Sequence, residues 1–131
     1  DDYKDISISD NVKIVPFIED LINLMKDSDL IVSRAGASTI AEITAIGLPA
    51  ILVPSPYVTN NHQYKNAKAL EDVGACKIIL ESDFSRDTII REIDKLFDNR
   101  EDYNKMSSAS HTLGIDDSAT RIYEEIKKII R

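Results

Sequence analysis

A chain of 131 residues with 43% apolar and 30% charged residues has the length of one domain and the balance of a folded globular protein, which excludes a disordered chain and two comfortable cores. Sixteen basic against twenty-three acidic residues leave a formal net charge of -7, so long-range attraction to nucleic acid or to an anionic membrane surface is disfavoured. No stretch approaches the roughly 18 to 20 apolar residues that a membrane span needs, and the opening Asp1-Asp2-Tyr3-Lys4-Asp5 is unlike a secretory signal.

From residue 12 onward, short β-branched runs alternate with segments of helical period, the pattern of βαβ units around a parallel sheet. Val12-Lys13-Ile14-Val15 predicts a first strand, closed by Pro16, which lacks the N–H that a central ladder requires. Asp20 to Lys26 predicts a helix with Leu21, Ile22, Leu24 and Met25 on its inner side, broken at Asp27-Ser28. A second strand, Leu30 to Ser33, leads through a small-residue turn into a helix from Ser38 to Ile46, stopped by Gly47. Ala50-Ile51-Leu52-Val53 is an apolar run of the kind found in a sheet covered on both faces, and it ends in Pro54-Ser55-Pro56.

A helix from about His62 to Val73, closed by Gly74, precedes a fourth strand from Cys76 to Leu80, where the sheet is expected to end. The single cysteine, Cys76, lies in apolar surroundings that predict a buried, reduced thiol, which fits a cytoplasmic compartment. Three helices follow, Ser85 to Phe97, Tyr103 to Leu113 and Asp117 to Ile130, with capping side chains for the first of them among residues 82–87. In the last, Ala119, Ile122, Tyr123, Ile126, Ile129 and Ile130 form one apolar stripe that must pack on something.

The window richest in chemistry is Ser33-Arg34-Ala35-Gly36-Ala37-Ser38-Thr39-Ile40-Ala41-Glu42, which joins a strand to a helix at the carboxyl end of the sheet. There the helix N-terminus offers unpaired N–H groups and partial positive charge to a phosphate. Gly36 admits close approach, Ser38 and Thr39 add hydroxyl donors, and Glu42 stands one turn on, where a carboxylate can accept both hydroxyls of a ribose. The same residues also fit a capping box, with Thr39 as cap and Glu42 reaching back to its N–H. His62, Gln63 and Asn66 start the next helix at the same edge, where they read either as sugar ligands or as solvated caps. His62 has no partner at metal-ligand spacing, and His111 reads as a surface residue. Phe17 and Ile18 read either as contacts to a flat base or as core. No nucleophile pair, serine elbow, phosphate-cradling glycine loop or metal cluster appears, so the sequence argues for a binding half rather than a whole catalyst.

Phe17-Ile18, the window from Ser33 to Glu42, Gly47-Leu48-Pro49-Ala50-Ile51-Leu52-Val53-Pro54 and Asn61-His62-Gln63-Tyr64-Lys65-Asn66-Ala67 together resemble the MurG family. These are the bacterial N-acetylglucosaminyltransferases that make the second lipid intermediate of peptidoglycan. The resemblance runs from about residue 12 to the end, and it implies a GT-B glycosyltransferase of two Rossmann-like domains. This chain would be a partial C-terminal, donor-binding domain, with helices on both faces of a parallel sheet. By the same resemblance Ile18 contacts uracil through its backbone, Glu42 binds the ribose, and Ser38 and Thr39 approach the diphosphate beside Gly36. Gln63 holds the sugar with Asn66 nearby, Arg34 supports the loop, and His62 stands where the family also uses glutamine.

The resemblance further implies UDP-N-acetylglucosamine as donor, transfer with inversion, no cofactor and no essential protein-bound metal. The acceptor would be a lipid-linked muramyl pentapeptide held by an N-terminal domain, and the full-length enzyme would be cytoplasmic and peripheral on the inner face of the cell membrane. Because this chain lacks that domain and the family's glycine-rich loop, it is expected not to catalyse transfer alone. Two other readings are the donor-binding subunit of a two-chain N-acetylglucosaminyltransferase, and a non-catalytic α/β domain in which Glu42 is a cap.

Overall fold

The computed structural model describes residues 9–115. Helix α1 (Leu21–Lys26), strand β1 (Ile31–Ser33), helix α2 (Ala37–Ile46), strand β2 (Ala50–Leu52), helix α3 (His62–Asp72), strand β3 (Lys77–Ile78), helix α4 (Arg86–Asp98) and helix α5 (Arg100–Ile115) follow one another, with single 3-10 turns at Thr59–Asn61 and Glu81–Asp83. The three strands form a parallel sheet in the order β1-β2-β3, with Ile31 opposite Ala50 and Ile51 opposite Lys77. The predicted helix over 117–130 lies outside the described residues.

β2 is buried along its whole length because both faces of the sheet are covered. Successive side chains of a strand point to opposite faces, so Ala50 and Leu52 enter one core layer and Ile51 and Val53 another. The larger layer gathers Met25 of α1, Ile43 of α2, Ala67 and Leu70 of α3, and Cys76, with Ala109 and Leu113 of α5 against it. The smaller one packs Ile51, Val53 and Ile79 against Leu30 and against Ile89 and Ile93 of α4. Full burial of a side chain such as Ile43, Ile51 or Leu52 contributes about 1.5–3 kcal/mol each.

Glycines end α2 and α3 as expected. Gly47 adopts φ +75 and gives its amide to the Ile43 carbonyl at 2.9 Å, and Gly74 adopts φ +80 with its amide on Glu71 at 2.9 Å. The contact of α2 with α5 is made of small residues. Ser107 Oγ donates to the Gly47 carbonyl at 2.7 Å, Ser110 Oγ to that of Ile43 at 3.4 Å, and a Cβ placed on Gly114 would lie 2.2 Å from the Thr44 carbonyl oxygen.

Two expectations are corrected. Residues 12–15 form no strand: Val12, Ile14 and Val15 are exposed, and no ladder partner meets them among the described residues. A β-branched run becomes a strand only where a neighbour accepts its hydrogen bonds and one face is covered. In α1 only Met25 is buried, while Leu21, Ile22 and Leu24 face outward. Phe17, Ile18 and, on the edge strand β1, Val32 are exposed as well. Among the described residues no helix is long and apolar enough to cross a membrane.

Two measurements test this packing. Gly114→Ala gains about 1 kcal/mol of helix propensity but sets a methyl group against backbone that cannot yield. The denaturation midpoint therefore falls, by roughly 1–3 kcal/mol in stability, and an unchanged or raised midpoint would contradict the α2–α5 contact. Burial, aided by the charge of Glu71, pushes the Cys76 thiol up to about 12, so the reactive thiolate is scarce in the folded chain. A thiol reagent at mildly alkaline pH should label Cys76 only after denaturation; rapid labelling of the native chain would place the thiol outside the core.

Candidate functional site

The loops leaving β1 and β2 lie side by side at the carboxyl rim of the sheet, and α3 ties them together. Gln63 Oε1 accepts the Ala35 amide at 3.2 Å and the Ser55 amide at 2.9 Å, one from each loop. Three residues further along the helix, Asn66 Nδ2 donates to the Ala35 carbonyl at 3.3 Å. Ala35 is fully buried between these contacts, which fixes both of its peptide groups and with them the direction in which α2 begins. Gln63 and Asn66, expected at this edge as ligands or caps, thus brace the loops through one end of each side-chain amide. The Gln63 NH2 and the Asn66 carbonyl oxygen make no hydrogen bond among the described residues.

The capping-box alternative does not hold. Gly36, not Thr39, is the N-cap of α2, so Thr39 already lies inside the helix and Glu42 has no cap to reach back to. The first intrahelical bond runs from the Ile40 amide to the Gly36 carbonyl at 3.0 Å. The amides of Ala37, Ser38 and Thr39 therefore point out of the helix end without an acceptor among the described residues. By contrast, Asp20 caps α1, Ser85 caps α4 at 3.1 Å to the Thr88 amide, and Asn99 caps α5 at 3.2 Å to the Asp102 amide. Only α2 and α3, the two helices that start at the rim, lack a side-chain cap among the described residues.

Gly36 has φ -68, which any residue tolerates, and a Cβ there would meet nothing within 4 Å. The position a side chain would take at Gly36 is thus unoccupied among the described residues. Ser38 is exposed and Thr39 half-buried beside it, and their hydroxyls make no hydrogen bond among the described residues. Glu42 is half-buried on the next turn, about 6 Å along the axis from Ser38 by helical rise, again with no hydrogen bond or ion pair among the described residues.

Arg34 turns along the rim. Its Nη1 donates to the Val53 carbonyl at 3.3 Å, and its Nη2 pairs with Glu81, which follows β3. The guanidinium, chiefly by hydrogen bonding, holds the Glu81 carboxyl below its usual range. Glu81 in turn raises the pKa of the Tyr57 hydroxyl, through hydrogen bonding first and charge second. Glu81 and Tyr57 carry no local signal in the sequence, since Glu81 stands 47 residues from Arg34.

His62 is the exposed first residue of α3, preceded by Asn60 and Asn61 at φ 58 and 57. His111 is exposed, with its Cβ against Gly47. Phe17 and Ile18 are exposed rather than core, and their backbone groups make no hydrogen bond among the described residues.

A model of the glycosyltransferase family 28 C-terminal domain matches residues 1–122. The chain is 48% identical over 122 residues to the UDP-N-acetylglucosamine--N-acetylmuramyl-(pentapeptide) pyrophosphoryl-undecaprenol N-acetylglucosamine transferase of Bacillus cytotoxicus, covering 93% of this chain and 34% of that protein. It is 46% identical over 123 residues to the protein of the same name from Acetivibrio thermocellus, covering 94% and 33%. It therefore spans about a third of the length of these relatives.

Among solved structures, MurG of Acinetobacter baumannii superposes with a TM-score of 0.73 at 32% identity, over 88% of this chain and 33% of that one. The glycosyltransferase VinC, solved in complex with dTDP, superposes with a TM-score of 0.72 over 94% of this chain and 30% of its own; at 20% identity it supports the fold alone. The parallel sheet with helices on both faces is the fold of these glycosyltransferases, and the chain belongs to the glycosyltransferase family 28 C-terminal domain family.

Proposed function

We propose that this chain is the donor-binding part of an inverting hexosyltransferase, which takes N-acetylglucosamine from UDP-N-acetylglucosamine and passes it to a lipid-linked muramyl pentapeptide. The observation that carries the reading is the uncapped start of α2 at the carboxyl rim of the sheet, where three amides have no acceptor among the described residues. A diphosphate there meets backbone donors and the positive end of a helix dipole, and the hydroxyls of Ser38 and Thr39 lie at the same turn. As the bond to the sugar breaks, negative charge grows on the diphosphate. Donors fixed in advance lower that barrier without having to reorganise.

Glu42, without a partner among the described residues, takes the two ribose hydroxyls. Ile18, whose backbone groups make no hydrogen bond among the described residues, offers them to the uracil, and exposed Phe17 beside it in the chain suits a flat base. The Gln63 amide NH2 and Asn66 carbonyl oxygen serve the sugar, with exposed His62 beside them. Arg34 acts at one remove, through its bonds to Val53 and Glu81. The names of the relatives support both donor and acceptor. In the longer protein, further strands and the acceptor domain would adjoin the edge strand β1, whose Val32 is exposed, and the assembled enzyme would sit on the inner face of the cell membrane.

Calorimetry with UDP tests the crevice directly. Glu42→Ala should weaken binding by about 1–3 kcal/mol, the cost of losing a hydrogen-bonded carboxylate; equal affinity in mutant and parent would remove the ribose role. Gly36→Ser places a side-chain oxygen where it captures an amide at the helix start. That variant should gain a few tenths of a kcal/mol in stability while losing affinity for UDP, and undiminished affinity would mean that the α2 amides do not hold the diphosphate. The purified chain alone should show UDP binding without transfer to a lipid-linked acceptor. Robust transfer would show that the acceptor site does not need a second domain.

A further inference from the structure

Beside the crevice, on the far side of the α3 start, lies a cavity of about 580 Å³ between the loop after β2, the first turn of α3 and the turn after β3. Its volume falls in the range of small-molecule sites, about 300–1,000 Å³. It opens at the carboxyl ends of β2 and β3, the rim on which parallel sheets carry their ligands. Its wall joins two tyrosine rings, Tyr57 and Tyr64, and the apolar Leu80 to a few polar groups, Asn61, Glu81 and Ser82.

Three features define what such a wall accepts. Tyr57 is 84% exposed, so the fold gains almost nothing from an aromatic ring there, while the ring offers a broad flat surface to a ligand. The carboxylate of Glu81 is neutralised by Arg34, so the wall carries no net charge to attract an anion or a cation. Beside its contacts with Arg34 and the Tyr57 hydroxyl, the carboxylate keeps lone pairs that can accept a ligand hydroxyl. The side chains of Asn61, Tyr64 and Ser82 make no hydrogen bond among the described residues and remain free to pair with a ligand. Asn61 is held at φ 57, a left-handed conformation unusual for a residue other than glycine, at the mouth of the cavity.

Flat aromatic surface, a neutralised carboxylate and uncommitted hydroxyl and amide groups match a pyranose ring, with its apolar C–H face and its edge of hydroxyls. We propose that this cavity is a saccharide subsite that seats a neutral hexopyranose, on the same carboxyl rim as the α2 start but lined by none of residues 36–42. Any part it plays in transfer rests on the donor reading given above, in which another domain holds the acceptor. As a binding site for a sugar ring it does not.

The test is an amide NMR titration of the 131-residue chain with the methyl glycoside of N-acetylglucosamine, and separately with UDP. The glycoside should move the amides of Tyr57, Asn61, Tyr64 and residues 80–82 with saturable, weak binding. Tyr57→Ala should weaken that binding about tenfold, whereas Tyr57→Phe, which keeps the ring, should bind nearly as well as the parent. UDP should move the amides of residues 36–42 equally in the parent and in Tyr57→Ala. The subsite is overturned if the glycoside leaves the cavity amides unmoved, if it moves only residues 36–42, or if Tyr57→Ala binds it as tightly as the parent. Loss of the UDP response with the glycoside response intact would instead sink the donor reading and leave the subsite standing.

Discussion

The carbonyl oxygen of Gln63 accepts one amide from the loop after β1 and one from the loop after β2, and the shape of the whole rim depends on that shared acceptor. Two neighbouring loops at the ends of parallel strands have no ladder of their own to hold them together. A side chain from the following helix supplies the missing bond, and Asn66 closes the arrangement by taking up the Ala35 carbonyl. Each such bond contributes only about 0.5–1.5 kcal/mol net, but leaving a buried donor unpaired costs about 1–3 kcal/mol. The loops are therefore confined less by the strength of the bonds than by the penalty for breaking them. With Ala35 fixed, α2 starts at one place and points in one direction.

The other end of α2 is fixed by packing. Glycine and serine at the α5 interface let the two helices approach until a carbonyl of one nearly touches the Cα of the other. Larger side chains would separate the helices and swing the N-terminus of α2 about its far end. The tight contact and the Gln63 brace thus act on the same rigid element from opposite ends. Positioning that a ligand would otherwise have to impose on binding is already present in the fold, which lowers the entropic cost of binding. The second core layer, with α4 against Ile51, Val53 and Ile79, holds β2 from behind and keeps the loop after it from sagging away from the rim.

How much of this can be read in the sequence depends on how local each cause is. α2 and α3 are legible because their stop signals, Gly47 and Gly74, need a left-handed backbone, and that requirement is written in one residue. β2 is legible because four consecutive apolar residues have no other place to go in a covered sheet. The run Val12 to Val15 looks the same by composition, yet a strand is a relation between segments, and its fate was decided by a neighbour that the run itself does not encode. The inward face assigned to α1 fails for the same reason: Leu21, Ile22 and Leu24 have the right spacing, but only Met25 finds a core to enter.

The candidate site follows this division. Its helix start and its carboxylate at position 42 are visible in ten consecutive residues, whereas the choice between Gly36 and Thr39 as cap turns on backbone geometry. The brace from Gln63, and the link from Arg34 through Glu81 to Tyr57, join residues far apart in the chain and appear only once the loops are placed side by side.

The glycine at the start of α2 shows most clearly what the fold leaves undone. Its φ of -68 is open to every residue, and no neighbour would meet an added Cβ. Neither backbone nor packing therefore asks for glycine at position 36. A serine or aspartate would satisfy one of the amides and add a few tenths of a kcal/mol of stability, as Ser85 and Asp20 do for their own helices. The side chain that would improve the helix is also the one that would occupy its donors. An uncapped helix at the rim, in a chain whose other described helices away from the rim are capped, keeps free the donors that the proposed diphosphate site requires.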